Sequence, residues 1–330
     1  PDRFSTGWAS TLPLKSSDRM ERTIITFYRF THLPDCEQWK VRLEQLGQSE
    51  GILGTIILGQ EGINATLSGT EDGISAFMKR LRCDDRFADM PARTSVTSRE
   101  TFYRLRITVR DEIVTLGVPG TDPTERVGEY VEPEDWNDLL ADPDVLLVDT
   151  RNDYEVELGT FKGAVNPRTE TFCQWPQFVK DSLAKSTKRK VAMFCTGGIR
   201  CEKASSHLLA KGFDEVYHLK GGILNYLEKT DPEESQWEGE CFVFHHQVSV
   251  GHGLEDGQAL LCFGCRWPLK EEDLASPDYE QGVSCPRCNS GLTDEKRESL
   301  RERNRQVELA RRRKEPHIGK EMPSIPGDRD

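Results

Sequence analysis

The sequence predicts an α/β protein built around a parallel sheet with helices on both faces. Three apolar runs are typical of buried strands: Asp144–Arg151, Lys190–Cys195 and Asp214–Gly222. Helical patterns lie between these runs, and strand–helix alternation of this kind indicates a parallel sheet. A block of mixed strands and helices precedes this centre, and a cysteine-rich block follows it.

The first block, residues 22–117, has the predicted order βαββαβ. Thr23–Phe30 is rich in β-formers, a helix-spaced segment ends at Gly47, and two strands meet at Glu61 and Gly62. A second helical segment follows, and the basic stretch FYRLRITVRDEIVTLG supplies the last strand. This order predicts a ferredoxin-like (acylphosphatase-like) α+β domain, a fold that by itself indicates no function.

The proline-containing residues 118–135 are predicted to be a linker, and residues 136–232 form the central domain. The helix that begins after Cys195 ends at Gly212, which is a typical C-terminal cap. In open α/β sheets the ligand binds beyond the carboxyl ends of the strands. Cys195 lies at such an end and is therefore the candidate catalytic residue.

The segment FCTGGIRCEKAS surrounds this cysteine. A helix N-terminus lowers the pKa of a thiol because its free N–H groups carry partial positive charge. Gly197 and Gly198 allow successive amides to point at the sulfur of Cys195, and Arg200 adds a full positive charge. A merely buried cysteine would leave the glycine pair and the arginine unexplained.

Phosphoryl transfer and sulfane-sulfur transfer both use a cysteine in such a loop. Four residues separate Cys195 from Arg200, whereas a cysteine phosphatase loop has five. The shorter ring predicts a smaller anion, a terminal sulfur. The loop, the segment Leu146–Pro167 and the glycine pair in Leu219–Ile223 together resemble a rhodanese domain. This resemblance implies a persulfide on Cys195 held by the loop amides.

Three more residues are candidates for supporting roles. Asp149 and Arg151 end the neighbouring strand and could orient the loop as an ion pair, or Asp149 could cap the next helix. Cys201 follows Cys195 by six residues. It could resolve a persulfide, close a disulfide or simply pack in the core.

The third block, residues 233–295, contains two C-x-x-C pairs with the spacing of a zinc site: Cys262, Cys265, Cys285 and Cys288. This spacing predicts a zinc-ribbon-like module with a structural Zn²⁺, and two redox pairs are the alternative. We expect His245, His246 and His252 to be surface or core residues rather than a second metal site. The sequence carries no flavin, haem, iron or nucleotide motif.

The composition limits the partners. The chain has 330 residues, enough for two or three domains, and a formal net charge of −12, which disfavours nucleic acid and anionic membranes in bulk. The absence of an apolar run of about 18 residues predicts that there is no membrane partner. Four of the ten cysteines fall in the C-x-x-C pairs, which favours a reducing compartment, the cytoplasm.

Four motifs in order, EGINATLSG, CTGGIRCEKAS, GECFVF and the paired C-x-x-C segment, resemble the rhodanese-related tRNA uridine hydroxylases. The resemblance extends from Thr23 to about Gly319. It implies an oxidoreductase that uses molecular oxygen to hydroxylate carbon 5 of the wobble uridine in the anticodon loop of tRNA. The chain differs from the family pattern at three positions, which are occupied by His245, His246 and Cys173.

Two other functions compete with this interpretation. A plain sulfurtransferase would pass sulfur from thiosulfate or a carrier to a thiol, and would need neither flanking block. A non-catalytic binding protein would have no use for the intact loop. The sequence therefore favours the hydroxylase and leaves its sulfur and electron donors unidentified.

An acidic enzyme needs local basic groups to bind tRNA. The sequence offers one set on the last strand of the first block and another on its second helix: Arg104, Arg106 and Arg110, and Lys79, Arg80 and Arg82. Residues 296–330 add a basic helix and a tail predicted to be disordered. Trp175 or Phe172 could stack on a base, although core packing is the other interpretation.

Overall fold

The computed structural model describes residues 21–97, 102–186, 190–244 and 247–313. The first domain contains seven elements: β1 (Arg22–Phe30), α1 (Cys36–Ser49), β2 (Leu53–Gly59), β3 (Gly62–Gly69), α2 (Glu71–Leu81), β4 (Ala92–Thr97) and β5 (Leu105–Val109). The sheet order is β4-β1-β3-β2-β5. The first six elements give the βαββαβ order, so the ferredoxin-like prediction is confirmed.

The prediction of its last strand is right in one respect and wrong in another: the segment FYRLRITVRDEIVTLG contains the strand β5, but β5 does not complete the βαββαβ order. The closing strand is β4, which pairs antiparallel with β1, whereas β5 is an added strand that pairs parallel with the opposite edge strand, β2. The sequence of β4, ARTSVT, is a half-exposed edge strand with few apolar residues, so its pattern is weak. Arg104 and Arg110 flank β5, and only Arg106 lies within it.

The central domain contains the parallel sheet β6-β10-β9-β7. Its elements are β6 (Glu129–Val131), α3 (Pro133–Leu140), β7 (Val145–Asp149), α4 (Asp153–Val156), β8 (Gly159–Phe161), α5 (Trp175–Asp181), β9 (Lys190–Phe194), α6 (Ile199–Ala210), β10 (Glu215–Leu219) and α7 (Gly222–Lys229). The edge strand β6 lies within residues 118–135, so the sheet reaches into the segment predicted as a linker.

Helices cover both faces of this sheet, as predicted. Val191 and Met193 of β9 pack in one apolar cluster, with Trp175 of α5, whereas Ala192 and Phe194 pack in another. Successive side chains of a strand point to opposite faces, which explains the division. Trp175 is buried in the first cluster, as is Phe172, so both are core residues rather than exposed platforms for a base.

In its described residues the C-terminal part has short strands and two α-helices: β11 (Trp237–Gly239), β12 (Cys241–Phe242), β13 (Ser249–Val250), β14 (Leu260–Leu261), β15 (Pro268–Leu269), α8 (Glu271–Leu274) and α9 (Asp294–Arg313). Strand β11 pairs with β8 and thereby joins this part to the central domain. No helix in the described part of the chain combines the length and the apolar character that crossing a membrane requires.

Candidate active site at the Cys195 loop

The Cys195 loop lies between the end of β9 and the start of α6. Gly198 adopts a left-handed conformation (φ 103°), and its N–H donates to Cys195 Sγ at 3.1 Å. A side chain at position 198 would be strained, and its Cβ would lie 2.8 Å from the hydroxyl of Tyr28. The amide of Gly198 therefore points at the sulfur as predicted, whereas the hydrogen bonds of the described residues include none from Gly197 to this sulfur.

A second glycine supports the loop from the opposite side. Gly222 has φ +67°, and a Cβ there would lie 2.4 Å from the carbonyl oxygen of Cys195. The next two residues, Ile223 and Leu224, donate their N–H groups to the carbonyls of Cys195 and Thr196 at 2.9 and 3.1 Å. The loop backbone is thus fixed by the N-terminus of α7.

Cys195 is fully buried, and burial alone would raise the pKa of its thiol. A hydrogen bond from the Cys201 thiol and the charge of Arg200 outweigh burial. With the N–H groups of Cys201 and Gly198, they lower the pKa of Cys195 to about 6. This lowered pKa favours the thiolate of Cys195, the form that acts as a nucleophile.

Cys201 is also fully buried, and its environment has the opposite effect. Burial and the hydrogen bond to Cys195 hold the pKa of Cys201 well above its ordinary value. Its sulfur also lies 3.6 Å from the hydroxyl oxygen of Thr150. Neither cysteine is in a disulfide, and the opposite directions of their pKa values favour Cys195 as the thiolate and Cys201 as the proton donor.

The loop arginine is neutralised by a residue that the sequence did not single out. Arg200 donates two hydrogen bonds to the carboxylate of Glu155, at 2.6 and 2.7 Å, and both side chains are buried. Burial would raise the pKa of Glu155, but Arg200 lowers it overall. The same carboxylate accepts from Thr196 Oγ1 at 3.3 Å, so it holds the loop at two points.

Asp149 and Arg151 form the predicted ion pair. Arg151 Nη2 lies 2.6 Å from Asp149 Oδ2, and both side chains are buried in the core beside the loop. Arg151 also donates to the carbonyl of Gly159 at 2.6 Å. Asp149 does not cap the next helix, because Asn152 occupies the N-cap position of α4.

The first domain covers the loop with a tyrosine from β1. Tyr28 donates its hydroxyl hydrogen to Glu202 Oε1 at 2.7 Å, and Tyr130 also hydrogen-bonds Glu202. Burial raises the pKa of Glu202, and the nearby Cys195 charge adds to that effect. No local pattern signals this contact, because Tyr28 and Glu202 are 174 residues apart.

A buried lysine also links the central domain to the first domain. Lys203 of α6 is 1% exposed, and its ammonium lies 2.8 Å from Glu61 Oε2. It also pairs with Glu112. Both carboxylates come from the first domain, Glu61 from the turn between β2 and β3 and Glu112 from the residues after β5, so the position of α6 depends on that domain.

A cleft of about 80 Å³ opens where the three parts of the chain meet. Its walls include Thr26 and Thr66 of the first sheet, Thr196 of the loop, and Phe244 of the C-terminal part. Arg93 also lines the cleft and is bonded to Asn225 Oδ1 at 3.0 Å. Cys195 itself does not line the cleft, but the next residue, Thr196, does.

The four predicted metal cysteines come together. Their sulfur atoms all lie within 4.8 Å of one another, and three pairs are 3.7 to 3.8 Å apart. Tetrahedral zinc with Zn–S bonds of about 2.3 Å would place its sulfurs about 3.8 Å apart. The cluster of Cys262, Cys265, Cys285 and Cys288 therefore fits a four-coordinate metal ion.

The six residues predicted to bind RNA are all exposed, but of the three expected on one strand only Arg106 lies within β5. Lys79 and Arg80 are in the last turn of α2, and Arg82 caps it and bonds the carbonyl of Met90 at 2.8 Å. In α9, Arg301 and Arg305 are paired with Glu280 and Glu302. His252 is a half-buried residue of the C-terminal part, whereas His245, His246 and residues 314–330 lie outside the described residues.

Comparisons with known proteins agree with this architecture. Residues 22–113 match the UPF0176 acylphosphatase like domain, and residues 132–229 match the rhodanese-like domain. The tRNA uridine(34) hydroxylase of Albidiferax ferrireducens is 51% identical to this chain over 310 residues, which cover 91% of this chain and 97% of that protein.

Two solved structures share similarity with part of the chain. The rhodanese-like domain of an Anabaena protein is 19% identical, with a TM-score of 0.27 over 33% of this chain and 78% of its own. A rhodanese-like domain protein from Staphylococcus aureus is 21% identical, with a TM-score of 0.25 over 30% of this chain and 90% of its own.

Proposed function

This chain belongs to the tRNA uridine(34) hydroxylase family, and on that premise we propose that it hydroxylates carbon 5 of uridine 34 in tRNA. Molecular oxygen is the co-substrate, and the anticodon loop is the part of the tRNA that binds. The enzyme is an oxidoreductase that incorporates oxygen. We place the reaction in the cytoplasm, where the ten cysteines, all free thiols in the structure, stay reduced.

The loop around Cys195 supports a persulfide as the reactive group. The observation that carries this proposal is the contact of the loop with the sulfur: the N–H of Gly198 donates to Cys195 Sγ at 3.1 Å, and with Arg200 nearby the surroundings lower the pKa of Cys195 to about 6. A thiolate attacks a sulfane donor, and the sulfur–sulfur bond of the donor breaks as the new one forms. The Gly198 amide and the Cys201 thiol then hold the terminal sulfur.

Paired charges keep the site near neutrality. Because Glu155 balances Arg200, the loop favours one negative charge on sulfur rather than the two charges of a phosphoryl group. Glu202, beside Cys195, would repel a second charge when ionised. These contacts support sulfur chemistry over phosphoryl transfer.

The cleft is the route by which we propose that the uridine reaches this loop. Thr196 joins the cleft to Cys195, and Thr26 and Thr66 line the same space, with their hydroxyl oxygens 3.3 Å apart. Cys195 is fully buried, so access to its sulfur requires the cover around Tyr28 to open. A base must leave its stack to enter such a pocket, as in other base-modifying enzymes.

The four-cysteine cluster has a structural role in this proposal. Its ligands would be Cys262, Cys265, Cys285 and Cys288, and zinc held by four thiolates has no open position for substrate. The metal fixes a module whose own apolar core is small. No step of the reaction depends on it.

The proposal is tested with purified protein, a tRNA transcript, a sulfane donor and a reductant, in air and under nitrogen. Nucleoside mass spectrometry should find 5-hydroxyuridine only in air, and none with Cys195→Ser or with a transcript carrying cytidine 34. Cys173→Ser, at an exposed cysteine, is the matched control and should keep the activity. Unmodified tRNA together with thiosulfate:cyanide sulfur transfer would identify a sulfurtransferase instead.

A further inference from the structure

A row of aromatic rings leads from the Cys195 loop to the cysteine module. The row consists of four rings in edge-to-face contact: Phe244, Phe242, Tyr154 and Trp267. Successive centroids are 5.2, 5.2 and 6.1 Å apart. The arginine of the loop, Arg200, lies 5.9 Å from the first ring, and Arg287 lies 3.2 Å from the centroid of the last.

The two ends of this row are open, whereas its middle is packed. Phe244 is 55% exposed and lines the cleft, and Phe242 behind it is buried. At the far end the side chain of Arg287 is 50% exposed and covers the ring of Trp267. One end therefore presents an exposed aromatic ring, and the other presents a half-exposed guanidinium that lies over an indole ring.

The guanidinium keeps its capacity to bind another group. Its only acidic neighbour among the described ion pairs is Asp153, at 3.7 Å, which is too long for a good hydrogen bond. Asp153 meanwhile accepts a hydrogen bond of 2.8 Å from Asn166. The neighbours of Arg287 thus position its guanidinium and leave it able to bind another group.

The module carries a second arginine–aromatic pair. Arg266 lies 5.6 Å from the exposed ring of Phe263 and has φ 67°, a conformation that costs a residue other than glycine about 1 kcal/mol or more. A glycine would relieve that cost. The position instead keeps a cation beside an open ring, which gives this acidic chain a local surface suited to RNA.

Unpaired RNA bases stack on aromatic rings and on arginine planes. We propose that Phe244 and the Arg287–Trp267 pair bind two unpaired nucleotides of the anticodon loop, one beside the cleft and one at the cysteine module. This inference rests on the proposed function for the identity of the RNA. It explains how an acidic chain holds a loop whose target base has turned into the cleft.

The test compares two RNA probes by fluorescence anisotropy: an anticodon stem-loop, and the same stem as a blunt duplex without a loop. Phe244→Leu keeps an apolar side chain but removes the ring, and Arg287→Lys keeps the charge but removes the plane. Each should weaken loop binding by about 5- to 100-fold, the range for loss of one stacked base, and leave duplex binding unchanged. Leu260→Ala, at another exposed apolar residue, should bind both probes like the wild type.

Metal content and the unfolding midpoint establish that each variant is folded, and Phe244→Tyr should restore loop binding. Wild-type affinity of both Phe244→Leu and Arg287→Lys for the loop would overturn the inference without counting against the proposed hydroxylation. Selective loss of loop binding in those variants would support it even if the wild type produced no 5-hydroxyuridine. The absence of 5-hydroxyuridine would count against the proposed function alone.

Discussion

The chain uses cysteine in two regions that differ in almost every physical respect. At the Cys195 loop two thiols are close together in a buried site, and their surroundings push the two pKa values in opposite directions. At the C-terminal module four sulfurs all lie within 4.8 Å of one another, and three of their six pairs are 3.7 to 3.8 Å apart. A buried pair beside an arginine favours a reactive sulfur, whereas four sulfurs this close together favour a metal ion.

The difference comes from what supplies positive charge. The loop has backbone amides and Arg200, which stabilise one thiolate and leave it able to react. The module needs a cation at its centre to hold four thiolates together. A change in one region should therefore leave the chemistry of the other region intact.

The largest effect is expected from Cys285→Ser in the module. With three ligands and a core of few apolar residues, the module should lose its bound metal and its fold, because binding of structural zinc supplies the folding free energy of such modules. Metal analysis should show the loss of one equivalent, while sulfur loading of Cys195 persists. Cys83→Ser, at an exposed cysteine of the first domain, should change neither.

Glu155→Gln should have the next largest effect. It leaves the buried charge of Arg200 without a partner, at a cost of about 3–5 kcal/mol in the free energy of unfolding. The unbalanced charge should also lower the pKa of Cys195 below about 6. Denaturant unfolding measures the first effect, with the exposed Glu157→Gln as control. Equal stability of the two variants would show that the pair does not hold the loop.

Cys201→Ala should move the thiolate titration upward. Removing the hydrogen bond from Cys201 raises the pKa of Cys195 from about 6, and the ultraviolet absorbance of the thiolate measures it against pH. Since the folded-state pKa is depressed, the thiolate stabilises the fold above the ordinary thiol pKa, and that contribution is lost as pH falls through about 6. Cys36→Ala, in the core of the first domain, should leave the titration in place.

The smallest effect is expected from Tyr28→Phe. It removes the hydroxyl that covers the loop and donates to Glu202 at 2.7 Å, and should cost about 1 kcal/mol of stability. Tyr217→Phe is the matched control, since its hydroxyl lies 3.5 Å from Glu215 on the surface. A shift in unfolding midpoint no larger than that of the control would mean that the cover is held by other contacts.

Local patterns in the sequence predicted what is local in the structure. The buried strands, the glycine pair at Gly197 and Gly198, and the spacing of the metal cysteines all lie within short segments, so their geometry follows from neighbouring residues. The parallel sheet and the four-cysteine cluster were predicted for this reason. The strand β4 was missed because an exposed edge strand has no strong apolar pattern.

Contacts between distant segments could not be predicted in this way. Glu155 meets Arg200 across 45 positions, and Tyr28 meets Glu202 across 174, so no spacing rule connects them. The cleft is likewise formed by all three parts of the chain. One signal was present, because Glu155 lies in the Leu146–Pro167 segment that carries the rhodanese resemblance, three residues after a capping asparagine.

Sulfur uptake measured against pH is the most direct test of the view that the loop surroundings make Cys195 a sulfur carrier. The protein is treated with thiosulfate over a range of pH and digested, and peptide mass spectrometry locates each added sulfur atom. We predict one added sulfur on Cys195, with the initial rate rising to half its maximum near pH 6. Uptake mainly on the module cysteines, or a midpoint at the ordinary thiol pKa of about 8.5, would contradict the account.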